Sequence, residues 1–254
     1  MVSDQPETDQ ELSLIDHLLE LRSRILRALV AVVVVIVVLV PFARPLYTLF
    51  SAPLIRHLPE GSSMIAIDVA SPFFAPFKLV MVLGLLVAMP FVIYQLWAFV
   101  APGLYRHEQR LARPLLAASL VLFYAGCAFA FFVVFPVIFA FFTAMAPEGI
   151  AVMTDINRYL DFILVLFLAF GLAFQVPIVI IVLVALGLVT PQGLSQARPY
   201  VIVGAFTVAM LVTPPDMISQ TLLAVPVLLL YETGTWLARL LVRNRDREGP
   251  VSTG

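Results

Sequence analysis

The stretch PGLYRHEQR at 102–110 places one carboxylate, Glu108, among Arg106, Arg110 and Arg113, in a chain that is 62% hydrophobic and only 12% charged. A second carboxylate, Glu20, stands in HLLELRSR at 17–24, with Arg22 beside it and Arg24 one helical turn on. Carboxylates in arginine-rich settings can receive guanidinium groups, which fork onto carboxylate oxygens and never lose their charge. Each also has a plainer reading. Glu20 and Arg24 match an i,i+4 helix pair worth a few tenths of a kcal/mol, and Glu108 suits the positive end of a following helix.

Other chemistry lacks its parts. HEQRL at 107–111 begins like H-E-x-x-H without the second histidine, so it supplies no zinc site. The one lysine, Lys78, follows Phe77 and not a glycine-rich phosphate loop, and no G-x-S-x-G occurs. His17, His57 and His107 all fall outside the apolar runs, and Cys127 has no second cysteine to pair with. Binding, not catalysis, is the expected work, with no cofactor and no metal. No basic tract argues for nucleic acid.

The elements that must position these groups are membrane spans. Mean hydropathy is +1.04, and crossing roughly 30 Å of hydrocarbon takes about 20 apolar residues. The runs expected to span are 25–40, 77–100, 115–142, 160–189, 199–212 and 217–230, in one polytopic domain. Pro136 and Pro177 are expected kinks. The acidic segment 1–24 is wrong for a cleaved signal peptide, and 243–254 reads as a tail.

The last two runs hold 14 residues each, about 21 Å as helix. They fit either short full spans in thinned bilayer or a re-entrant hairpin. Six spans put both termini on one side, with eleven arginines there against three arginines and Lys78 on the other. Those termini are therefore expected to be cytoplasmic. The segment 41–76 carries six prolines, which predicts short fixed turns and no long helix.

Five stretches then add a family. HLLELRSR (17–24), SAPLIRHLPEGSSMIAIDVASPFFAPFKL (51–79), FVIYQLWAFVAPGLYRHEQR (91–110), FQVPIV (174–179) and LVTPPDMISQTLLAVP (211–226) closely resemble the TatC family. TatC is the large membrane subunit of the twin-arginine protein translocase. The resemblance covers roughly residues 12 to 243. It implies six helices in a curved, cup-like arrangement, the last two short and both termini cytoplasmic, in the bacterial inner membrane. It also implies a receptor for twin-arginine signal peptides that works with TatA-type and TatB-type partners, self-associates in a receptor complex, and exports folded proteins using the proton motive force.

Residue by residue, the resemblance puts Glu20 and Glu108 at the arginine-binding positions, with Arg22 beside them. Tyr94, Gln95 and Phe99 would line a groove for the peptide's apolar part. Met210, Thr213 and Gln220 match positions where single-span partners dock, although Thr213 and Gln220 also suit simple helix ends. The mid-membrane position in FQVPIV is often glutamate in the family and is Gln175 here, so it cannot titrate as a proton relay. The competing reading, a small-solute transporter or proton channel, needs titratable groups at mid-depth, and Gln175 is not one.

Overall fold

A computed structural model describes residues 6–57, 65–100, 109–145, 155–213 and 217–247. Helix α1, Pro6–Leu39, passes through a 3-10 turn at Val40–Phe42 into α2, Ala43–His57. Then follow α3 (Ser71–Val100), α4 (Gln109–Phe129), α5 (Phe135–Ala144), α6 (Ile156–Ala173), α7 (Val176–Ala185), α8 (Pro191–Val212) and α9 (Met217–Arg247). Among the described residues, six stretches are long and apolar enough to cross a membrane: His17–Phe50, Ser71–Val100, Arg113–Phe141, Ile156–Ala185, Pro191–Val212 and Met217–Arg243. The last two are the shortest, 22 and 27 residues against 29 to 34 for the others.

Prolines set several boundaries. Pro136 has no N–H for the carbonyl four residues back, and the chain meets it through a π-helical stretch at Ala130–Val134. There the Phe135 N–H reaches the Ala130 carbonyl, widening the turn ahead of the ring. Pro177 sits in the first turn of α7, where its missing donor is not needed. The α6 ladder accordingly ends at Phe174, and the Gln175 carbonyl accepts from the Val179 N–H at 2.9 Å.

Two expectations from proline density do not hold. Residues 43–57 form a 15-residue helix; Pro45 falls in its first turn, which tolerates proline. Residues 71–76, read as loop, are the start of α3. Pro72 stands near its beginning, and the Phe73 and Phe74 N–H groups both donate to the Ala70 carbonyl at 3.0 Å. Residues 58–64, with the PEG turn, lie outside the described residues.

The core lies among α3, α4, α5 and α6. Phe123, Phe170, Leu79, Ile138 and Leu166 are fully buried there. Gly126 allows α4 to approach α6 so closely that a Cβ would sit 2.5 Å from the Phe170 carbonyl oxygen. Around this core α1 runs along α3, α8 pairs with α9, and α9 packs on α7. Tyr231 donates to the Leu194 carbonyl at 2.6 Å, and Glu232 accepts from Arg198 at 2.6 Å, tying α8 to α9.

At the end of the bundle where α3 and α6 begin, Asp155 is the N-cap of α6. Its Oδ1 accepts from the N–H groups of Asn157 (3.1 Å) and Arg158 (3.0 Å), and its Oδ2 from that of Ile67 (3.1 Å). The Ile156 N–H donates to the Ile65 carbonyl, and Asn157 Nδ2 to Ser71 Oγ at 2.5 Å. One side chain thus caps a helix and pins the segment leading into α3.

These N–H groups, led by that of Arg158 and then Ile67, hold the Asp155 carboxyl below its ordinary pKa of 3.8. A lowered folded-state pKa means the stabilisation is present above the unfolded value and lost as pH falls through the folded one. Amide exchange at Ile67 should therefore accelerate as pH drops below about 3.8, beyond the intrinsic trend. Asp155→Asn keeps a capping oxygen but offers Ile67 no second one. It should exchange faster at neutral pH and show no acid step.

Candidate functional site

Glu20 lies on α1 where that helix passes the final turn of α3. The contact is aromatic: the His17 ring stacks on Phe99 with centroids 4.3 Å apart and planes 17° from parallel. His17 and Glu20 are one turn apart, so the stack that fastens α1 also fixes where the carboxylate stands. Glu20 is 39% exposed.

Two Arg24 donors converge on one Glu20 oxygen, with Nε at 2.9 Å and Nη2 at 2.5 Å from Oε1. The other oxygen, Oε2, has His17 Nδ1 at 3.9 Å, beyond hydrogen-bond range. Among the described residues, half of the carboxylate is thus held by a guanidinium and half remains open. A part-buried i,i+4 pair of this kind adds little stability; its effect is to fix the orientation of the open oxygen.

On the next turns of α1, an open hollow of about 630 Å³ is lined by Leu19, Arg22, Leu26, Arg27, Val30 and Phe91. Leu26, Val30 and Phe91 are exposed apolar groups. Arg22 therefore borders an apolar trough and not the open Glu20 oxygen.

The three α3 residues expected to line a groove separate. Tyr94 is 53% exposed, near Phe91 (centroids 6.5 Å apart), while Gln95 is 7% exposed. Successive helix positions turn by about 100°, so these two cannot share one surface. Phe99 is engaged with His17. The contact missed by sequence reasoning is that stack, made across 82 positions with no local signal.

Deeper in the bundle, Gln175 donates to the Ser119 carbonyl at 2.8 Å, and Trp97 Nε1 donates to Ser119 Oγ at 3.0 Å. These groups border an apolar cavity of about 340 Å³ between α3, α4 and the α6–α7 break. Gln175 is thus a neutral bridge between spans.

Among the expected partner-docking residues, Met210 is 52% exposed. Thr213 is buried and closes α8, its hydroxyl and N–H both donating to the Ala209 carbonyl at 2.9 Å. Gln220 is half-buried in the first turns of α9. Glu108 and Arg106 lie outside the described residues, immediately before α4 in sequence; Arg113, on α4, is exposed.

Comparison with known proteins agrees along the chain. The family model described as Sec-independent protein translocase protein (TatC) matches residues 16–226. The chain is 54% identical to the Sec-independent protein translocase protein TatC of Azotobacter chroococcum mcd 1, over 98% of this chain and 96% of that one. It is 54% identical to that of Escherichia coli K12, over 92% of each. A crystal structure of a twin-arginine translocase receptor, TatC, superposes with a TM-score of 0.80 at 36% identity, over 88% of this chain and 98% of that one. With six membrane-capable helices and matches of this extent, the chain is a multi-pass membrane protein that belongs to the TatC family of Sec-independent protein translocase proteins.

Proposed function

We propose that the chain is the twin-arginine signal-peptide receptor and core scaffold of its translocase. The observation that carries this reading is the half-engaged carboxylate: among the described residues, Glu20 Oε1 already holds a guanidinium while Oε2 has no hydrogen-bond partner. An incoming arginine would take the open oxygen, and Glu108 the second arginine. The apolar trough beside Arg22 would receive the first turns of the peptide's hydrophobic part. TatA-type and TatB-type subunits dock along α8 and α9, where Met210 faces outward. Both termini are cytoplasmic, and folded cargo crosses the bacterial inner membrane at the expense of the proton motive force.

A photocrosslinking residue in place of Ser23, one turn from Glu20 and on the lining of the trough, tests the reading with the carboxylate left intact. In membranes it should capture a peptide carrying two consecutive arginines, and capture should disappear when both arginines become glutamine. Equal capture of the two peptides would defeat it.

The stack beneath the site gives a second expectation. An aromatic pair contributes about 0.5–1.5 kcal/mol, so His17→Ala should weaken peptide binding roughly 2- to 12-fold through misplacement of Glu20. His17→Phe, which retains the stack and discards the imidazole, should restore affinity in the same titration.

A further inference from the structure

We propose that the polar cleft at the Asp155 end of the bundle is a binding site for one zwitterionic phospholipid with a primary-amine headgroup, of the phosphatidylethanolamine type. The cleft encloses about 700 Å³ and is lined by Asp68, Lys78, Asp155, Asn157, Arg158 and Asp161, with Phe74, Phe77 and Met81 beside them. Lys78 and Asp161 form an ion pair between α3 and α6, each about half exposed (47% and 48%).

The depth of that pair calls for a polar occupant. Helix α3 has 30 residues, about 45 Å, against roughly 30 Å of hydrocarbon. Some 7 Å therefore project at each end. Lys78 stands seven residues into α3 and Asp161 five into α6, which is about 8–10 Å along each axis. This is the level where headgroup gives way to acyl chain. A half-exposed ion pair there must meet water or a headgroup, because hydrocarbon cannot solvate it.

Charge selects the headgroup. Among the described residues, three carboxylates and two bases line the cleft, which disfavours an anionic lipid. The Asp155 oxygens are already taken by N–H groups, and Asp161 is paired with Lys78. Arg158 and Asp68 are exposed, and among the described residues neither side chain makes an ion pair. A guanidinium and a carboxylate on one cleft match a phosphate and an ammonium. A primary ammonium donates to Asp68, whereas a trimethylated amine has no proton to give.

Acyl chains have a path. Phe74, Phe77 and Met81 recur at helical spacing on α3 with exposures of 59%, 37% and 60%. They run from the cleft mouth toward the bilayer centre. In the orientation proposed above, this is the outer leaflet; the lipid assignment itself does not depend on that reading.

The test is native mass spectrometry of the full chain, extracted in mild detergent from liposomes holding equal phosphatidylethanolamine, phosphatidylcholine and phosphatidylglycerol. One phosphatidylethanolamine should be retained about three- to fivefold above either other lipid, the scale of an exposed charge contact. Asp68→Asn with Arg158→Gln should erase that preference while signal-peptide binding persists, which marks the variant as folded. Glycerophosphoethanolamine, the same headgroup without acyl chains, should not displace the lipid. Equal retention of all three lipids, preference for the anionic one, an unchanged preference in the double variant, or displacement by the soluble headgroup would each overturn the proposal.

Discussion

Glu20→Ala or Glu108→Ala should lower affinity for a twin-arginine peptide by roughly 10- to 150-fold, while the protein stays folded. Hydrogen bonds to charged groups contribute about 1.5–3 kcal/mol, which converts to that range. Among the described residues of the unbound protein, Glu20 holds only Arg24, one turn away on the same helix. Losing that i,i+4 pair costs about 0.3–0.5 kcal/mol, and for Glu108 a helix-dipole role would contribute under about 1 kcal/mol. Lysines in place of the peptide's arginines should also bind less well, because an ammonium cannot fork. A double-mutant cycle pairing peptide Arg→Gln with Glu108→Ala, run in nanodiscs, isolates the contact. Additive losses would mean that carboxylate and guanidinium do not meet.

The second large effect concerns the core. Gly126→Ala should destabilise the protein by about 1–3 kcal/mol, the usual range for overpacking. The new Cβ would meet the Phe170 carbonyl oxygen at 2.5 Å and its carbon at 2.9 Å. Both are backbone atoms of a packed helix and cannot swing aside as a side-chain tip would. Gly204→Ala is the control: a Cβ there meets nothing within 4 Å, and alanine stabilises a helix interior by up to about 1 kcal/mol. Thermal unfolding in one detergent should move the two variants in opposite directions. A Gly126→Ala protein as stable as the parent would show that α4 and α6 do not pack this tightly.

Hydropathy made all six spans legible, because crossing hydrocarbon demands long apolar runs and little else satisfies that demand. The ends of helices were less legible where polar residues continue them. Helix α8 begins at Pro191, with Thr190 accepting from the Gly193 N–H at 3.1 Å, eight residues before the apolar run. The Thr-Pro pair is a readable start signal, but the polar residues Gln192, Ser195, Gln196 and Arg198 that follow it carry no hydropathy signal. Pro45 and Pro72 misled for a related reason, since proline opens a helix as readily as it ends one. At the site, the Glu20–Arg24 pair was visible from spacing alone. The His17–Phe99 stack was not, because no local rule joins residues from different helices.

The first span has a consequence for how the chain is made. The most apolar 18-residue window of its stretch His17–Phe50 has a mean hydropathy of 3.0, the highest such window of the six, and none of that window is buried by the rest of the protein. Such a segment partitions into lipid on its own, before any later helix leaves the ribosome. The fifth and sixth, at 1.2 and 1.4, are the least able to do so alone. They are expected to enter as a pair, because Arg198 of α8 and Glu232 of α9 form an ion pair with each other. Biogenesis should thus run from a self-sufficient anchor to a co-dependent finish. A chain truncated between the last two spans would leave α8 poorly inserted and open to quality-control proteolysis, while α1 remained embedded.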